Sequence, residues 1–231
     1  VEPKLMFAGT EYGLYVSCDA GDNWNKWTSG YPTVSTYDMV IHPREHDLVI
    51  GTFGRAVWIL DDIRPLRALA SRGNKLLESN LEAFEAPEAF LASTKNLPGY
   101  YFYGDAMYRG QNREQGAMIS YFSSADSGKI SAEIKDETGS IVKTMDISPV
   151  KGFNRFVWRL DRNPLPQVEY PATQQQQQDQ RSRFFRGFGG TVFPGTYTVT
   201  LKNATGSSSA KVNVNSDPRM EAPDADALKK N

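Results

Sequence analysis

The chain has 231 residues with 26 basic and 27 acidic side chains, a formal net charge of −1, so it lacks the positive field that nucleic acid or an anionic membrane surface selects. Mean hydropathy is −0.51 and no apolar run approaches the roughly 20 residues of a membrane-spanning helix. Cys18 is the only cysteine, which excludes an internal disulfide and argues against a cysteine-based zinc site.

In chain order, Leu5 to Thr10 and Gly13 to Ser17 read as short strands separated by Glu11-Tyr12. Between the second strand and a further one near Trp24 to Trp27 lies Ser17-Cys18-Asp19-Ala20-Gly21-Asp22-Asn23-Trp24, of form S-x-D-x-G-x-x-W. Here the chain must reverse. Asp19 can accept hydrogen bonds from N–H groups two or three residues ahead, Gly21 supplies a positive φ, and Trp24 folds back as an apolar plug. Ser17, Asp19, Gly21 and Trp24 are therefore expected to be structural.

Met39 to His42, Leu48 to Thr52 and Ala56 to Leu60 repeat the strand rhythm. Leu5–Thr10 aligns with Asp47–Thr52, and Gly13–Val16 with Ala56–Ile59, a repeat of about 42 residues that suits four-stranded propeller blades. Each unit supplies three strands. Two such units cannot close a ring, so residues 1–63 are expected to be the end of a propeller whose body lies elsewhere. A start at Val1, with neither Met nor a signal peptide, also reads as a piece of something longer.

Residues 64–99 read as a linker with a short helix started at Pro65, given an apolar side by Leu66, Leu69, Leu76 and Leu77 and interrupted at Gly73. Residues 100–216 follow as a second domain of alternating strands: Met118–Phe122, Ile130–Lys135, Ile141–Asp146, Arg155–Leu160, Thr196–Leu201 and Ala210–Val214. Asp136–Gly139 is a hairpin turn, and in Tyr197–Leu201 an apolar face alternates with threonines. Such a set predicts an Ig-like sandwich without the Ig disulfide. Gln174–Gln178 with the charged run to Arg183 reads as a long surface loop, and residues 217–231 as a tail entering a helix at Asp224–Lys230.

Together these segments carry a resemblance. Phe7–Gly13 and Gly51–Asp62, with the Asp-box, look like the end of a sortilin-like, BNR-repeat propeller protein of the kind described as glycosyl hydrolase-like. Gly116–Ile119, Gly152–Trp158, Pro194–Tyr197 and Asp217–Arg219 fit, in order, the Ig-like domain related to the flagellar hook-cap module that follows such propellers. Phe53, where histidine is common, and Asn23, where threonine is usual, are departures. The resemblance implies an all-β chain, the terminal blades of a β-propeller followed by an Ig-like β-sandwich, in a secreted, periplasmic or cell-surface protein. Its implied partner is the remainder of the propeller.

Each residue that could carry chemistry also has a structural role open to it. A glycosidase needs two carboxylates about 5–9.5 Å apart. Glu11, Asp38, Asp61 and Asp62 are the candidates on the propeller side, and the structural reading is that Glu11 and Asp61 cap turns and Asp62 is solvated. A sialidase would bring an arginine triad, yet residues 1–63 hold only Arg44 and Arg55. His42 and His46 flank Pro43, which breaks the helix that would align them as metal ligands. Ser17 has no histidine partner in a recognisable motif. Asp19-x-Gly21-x-Asn23 is spaced like part of a calcium loop but lacks the distal bidentate glutamate. No catalytic residue, metal site or cofactor is assigned.

The aromatic clusters are the remaining candidates. Tyr101 and Tyr103, in a run whose alternate members face opposite sides of a strand, could stack on sugar rings. Phe184 and Phe185, among glycines and arginines, could do the same or dock a protein. The leading expectation is a non-catalytic structural and interaction module. The alternatives are a contribution to a glycoside hydrolase acting on polysaccharide, with its centre mostly on other blades, or a carbohydrate-binding module.

Overall fold

A computed structural model describes residues 2–92, 113–164 and 189–220. The chain is all-β, with two short helices among the described residues. Its first part is a pair of three-stranded antiparallel sheets. Strands β1 (Met6–Thr10), β2 (Gly13–Ser17) and β3 (Asn25–Lys26) form one, in that order. Strands β4 (Thr36–Ile41), β5 (Leu48–Thr52) and β6 (Val57–Leu60) form the other.

The repeat read from the sequence is realised residue by residue in the strand pairing. Met6↔Ser17, Phe7↔Val16, Ala8↔Tyr15 and Gly9↔Leu14 in the first sheet correspond to Leu48↔Leu60, Val49↔Ile59, Ile50↔Trp58 and Gly51↔Val57 in the second. Hairpin chemistry matches as well: Thr10 Oγ1 donates to Gly13 O at 3.0 Å, and Thr52 Oγ1 donates to Ala56 O at 2.7 Å. The matching β1 and β5 therefore occupy different places in their units. β4 precedes β5, with no equivalent before β1 among the described residues, and β3 follows β2, with no equivalent after β6.

The sheets stack face to face. Leu5, Phe7 and Leu14 of the first pack with Met39, Leu48, Ile50, Trp58 and Leu60 of the second, and Tyr31 of the connection closes the cluster. Tyr31 meets Trp58 edge-on with ring centroids 5.7 Å apart. The two backbones come so close that a Cβ on Gly9 would lie 2.7 Å from Thr36 Cγ2 and 3.0 Å from Thr36 O, so no larger residue fits at Gly9 without separating the sheets.

Helix α1 (Arg64–Arg72) carries Pro in its first turn, where no N–H is required, and Arg72 in its last turn, where a cation suits the helix dipole. Gly73, at φ 57°, separates it from the single turn α2 (Asn74–Leu77). Only part of the expected apolar side is used: Leu76 is buried, whereas Leu77 is exposed.

The predicted boundary at residue 100 is too late. Strands β7 (Leu81–Ala83) and β8 (Ala89–Leu91), inside the stretch read as linker, belong to the sandwich. Each is only three residues long, too short to show an alternating pattern. The other sandwich strands are β9 (Ala117–Ser123), β10 (Ile130–Lys135), β11 (Ile141–Ile147), β12 (Gly152–Trp158), β13 (Gly195–Asn203) and β14 (Gly206–Ser216). One sheet has the order β11-β10-β13-β14-β8 and the other β12-β9-β7. The first edge is split between sheets, β7 pairing antiparallel with β9 and β8 running parallel to β14. This order fits an Ig-like sandwich.

Its core lies between the two sheets. Trp158, Ile119, Ala132, Ile134, Val199, Leu201 and Val212 are fully enclosed, and each large aliphatic side chain so buried contributes about 1.5–3 kcal/mol. Tyr197 meets Trp158 edge-on at 5.2 Å and donates its hydroxyl to Phe193 O at 2.7 Å. A tyrosine tied to backbone four residues upstream, at the start of the penultimate strand, is the corner device of Ig-like folds. The apolar–threonine alternation of 197–201 is realised, with Tyr197, Val199 and Leu201 inside.

Strand β9 is buried along its entire length, since its outer face is covered as well. Phe84 and Phe122 pack there with Leu76, Ala68 and Leu69 of the helical segment, and Phe153 stacks on Phe84 at 5.8 Å. The helices thus seal the back of the smaller sandwich sheet. Strand β12 begins three residues before the predicted Arg155 and stops at Trp158, because Leu160 takes a left-handed φ of 59° that ends the extended run.

Candidate functional site

The Asp-box is a closed hydrogen-bond cage. Ser17 is fully buried; its Oγ donates to Asp19 Oδ1 at 2.7 Å and accepts from Gly21 N–H at 2.9 Å. Asp19 accepts from the Asn23 backbone N–H at 2.9 Å and from the Asn23 side-chain amide at 2.8 Å. The expected acceptor reach of two or three residues is corrected to four. These donors, the Ser17 hydroxyl first, hold the Asp19 carboxyl down at about 2. Gly21 has φ 98°, as its position in the turn requires.

Trp24 is not a plug. It remains 41% exposed, its indole beside Gly21, because β3 is a two-residue edge strand and no further layer covers it among the described residues. Asn23 supplies two of the donors to Asp19, one from its backbone and one from its side chain. Ser17 is buried and the Asp19 carboxylate is taken up by Ser17 and Asn23, so these contacts serve the turn itself.

The second sheet ends in a degenerate version of the same turn, which the sequence reading missed. Ala20 N–H donates to Lys4 O at 3.0 Å in the first unit, and Ile63 N–H donates to His46 O at 2.9 Å in the second. On that match Asp62 stands where Asp19 stands. Its carboxylate is completely enclosed and accepts from Arg64 Nε at 2.6 Å and Nη2 at 3.2 Å. Where the first unit turns back into β3, the second leads into α1.

Asp62 is the centre of a polar joint between the sheet pair and the sandwich. Arg155, on β12, donates through Nη2 to Asp61 O at 2.8 Å and to Asp62 O at 3.4 Å, and through Nε to Ser120 Oγ at 3.1 Å. Arg64 reaches across to Ala86 O at 3.2 Å. Asp47 Oδ1 accepts from Asp62 N–H at 2.8 Å, and Arg113 lies 3.7 Å from Asp47 and 3.5 Å from Glu45. Burial, followed by the charge of Asp47, pushes the Asp61 carboxyl above its ordinary range. A cation gripping backbone carbonyls at a joint fixes orientation, although the Arg155 side chain is one-third exposed (33%), so water weakens each bond.

The remaining candidates do not converge. Glu11 sits in the β1–β2 turn, at the opposite end of the sheets from Asp61 and Asp62. Asp38 is exposed and caps the backbone N–H of Met39 at 2.8 Å. His42 Nδ1 accepts from Glu45 N–H, while His46 Nδ1 faces Arg67 Nη1 at 3.0 Å. As an acceptor from arginine, His46 is neutral; burial, reinforced by Arg64 and Arg67, lowers its pKa accordingly. No group of three or more His, Cys, Asp or Glu among the described residues is placed to hold a metal ion. Tyr101, Tyr103, Phe184 and Phe185, the glutamine run and the helix expected at 224–230 lie outside the described residues.

One cleft of about 700 Å³ opens beside the joint, with Arg44, Arg113 and Arg159 facing Glu45, Glu88 and Glu114. Its mixed charges select no single sign of ligand. No helix among the described residues is long and apolar enough to cross a membrane. Neither a family model, nor a curated protein, nor a solved structure matches this chain.

Proposed function

We propose that the chain is a non-catalytic structural and interaction module: consecutive blades of a sortilin-like, BNR-repeat β-propeller, buttressed by an Ig-like sandwich, in a secreted, periplasmic or cell-surface protein. The observation that carries this reading is the identity of register between the two stacked sheets, which makes them successive copies of one unit. The Arg155 joint then gives the sandwich its role, which is to hold the second sheet at a fixed angle. The candidate carboxylates support no catalytic pair, since they cap turns, face solvent or serve the joint.

The test is to incubate the purified chain with a panel of polysaccharides, following both retention and release of reducing sugar. No release is expected. Release that disappears in Asp61→Asn or Glu11→Gln would replace the reading with the glycosidase one.

A further inference from the structure

Each sheet has two faces, and the repeat says which face of one unit corresponds to which of the other. Phe7, Gly9, Leu14 and Val16 share one face of the first sheet, and their register partners in the second are Val49, Gly51, Val57 and Ile59. In the first sheet that face is covered, with Leu14 fully buried and Val16 8% exposed. It is covered by the opposite face of the second sheet, the one carrying Leu48, Ile50 and Trp58. The contact is therefore heterologous: the front of one unit sits on the back of the next.

In the second sheet the corresponding front is open. Val57 is 62% exposed, Ile59 59% and the adjacent Val40 61%. Four branched apolar side chains, with Val49, thus line up across three paired strands, since Val40↔Val49 and Val49↔Ile59 are in register. The glycine notch is retained too. Gly9 uses the absence of a Cβ to seat Thr36, whereas a Cβ on Gly51 would meet only its own neighbour Asp38, at 3.6 Å from the carbonyl. An apolar face that matches a buried counterpart, Leu14 and Val16, yet stands uncovered at Val57 and Ile59, is unusual on a settled surface.

We infer that the Val40–Val49–Val57–Ile59 face is a docking surface whose occupant is the back of another sheet of the same repeat, packed as the second sheet packs on the first. This rests on the blade reading above and names its partner. A heterologous contact of this kind propagates, closing into a ring when the rotation per unit allows it. The back that would dock is represented in this chain by Met6, Ala8 and Tyr15 of the first sheet, the register equivalents of Leu48, Ile50 and Trp58. Met6 is 41% exposed there.

A second copy of the full chain, which carries that back, serves as the probe. Sedimentation is expected to show association that grows with concentration. Val57→Lys with Ile59→Lys removes the front, and Met6→Lys impairs the back, all at exposed positions that leave the circular dichroism unchanged. Each variant alone is expected to sediment as a monomer, while an equimolar mixture of the two forms a one-to-one pair. A wild-type chain that stays monomeric to roughly 1 mM overturns the inference, as do variants that still associate alone or a mixture that fails to pair. Failure of the blade reading shows separately. Gly9→Leu separates the two internal sheets if they are stacked units, a change read by hydrogen exchange in β1 and β5 whether or not a second copy docks.

Discussion

The sandwich and the sheet pair are each two sheets packed face to face but enclose very different cores. Among the described residues the sandwich core holds twenty buried apolar residues, from Leu81 to Val214, whereas the sheet pair buries six: Leu14, Val16, Tyr31, Leu48, Ile50 and Ile63. The sandwich closes on itself, each sheet covering the other. In the pair only one face of each sheet is used, and the opposite faces carry Met6 on one side and Val40, Val57 and Ile59 on the other. Hydrophobic stabilisation scales with the apolar area enclosed, so the larger core gives the sandwich the greater share. The sandwich is thus the self-sufficient element, and the pair leans on it through a polar joint.

The most forceful test of that contrast is a cavity in the larger core. Trp158→Ala removes a fully buried ring that also donates its indole N–H to Asp161 O at 2.9 Å. A loss of about 3–5 kcal/mol is expected, with the sheet pair loosening along with the sandwich. Leu14→Ala, of smaller volume, is expected to cost about 2–4 kcal/mol and to act on the pair alone. Denaturant unfolding followed by hydrogen exchange separates the two. If Leu14→Ala unfolds the sandwich as well, the two regions are one cooperative unit and the contrast fails.

The joint comes next. Asp62→Ala leaves Arg64 without its carboxylate in a nearly enclosed site and puts alanine at a φ of 46°, which aspartate and asparagine tolerate better. The expected cost is roughly 2–4 kcal/mol, and Asp62→Asn should recover part of it by keeping the backbone conformation. Arg155→Ala is milder, about 1–3 kcal/mol, because two backbone carbonyls and the Ser120 hydroxyl lose a donor and Asp61 loses a loose, one-third exposed ion pair at 4.0 Å. Its signature is selective, with faster exchange in β5 and β6 and unchanged exchange in β10 and β13. Uniform acceleration would mean that Arg155 supports the sandwich itself.

How much of this was legible beforehand depended on whether a signal was local. The Asp-box lies in eight successive residues, and the repeat survives as aligned dipeptides such as Gly9-Thr10 and Gly51-Thr52, so both could be read. Long strands such as β13, with its alternation of apolar residues and threonines, declared themselves as well. The short edge strands β7 and β8 did not, because three residues carry no period and their pairing partners lie far along the chain. The joint was invisible for the same reason: Arg155 and Asp61 are separated by more than ninety positions, and nothing near either announces the other. Asp62 was misleading, since an aspartate at a strand end reads as solvated, and only the match to Asp19 shows why it is enclosed.

The smallest expected effects lie in the Asp-box, where the two units can be compared through a single residue. Ser17→Ala deletes a buried hydroxyl that serves Asp19 and Gly21, and about 1–2 kcal/mol is expected. Asp19 itself gives a pH signature. Its carboxyl is held at about 2 when folded, below its ordinary 3.8, so the stability it contributes is present above the ordinary value. That contribution is lost as pH falls from about 4 towards 2, when protonation weakens the acceptor that gathers Ser17 and Asn23. Carboxyl-carbon NMR of Asp19 should follow this titration, with the Asn23 amide shifting in step, and Ser17→Ala should raise the midpoint because the largest favourable contact is gone. A midpoint that does not move in Ser17→Ala would mean that the Asn23 donors alone hold the turn, and that the two units differ at their ends by more than the loss of one hydroxyl.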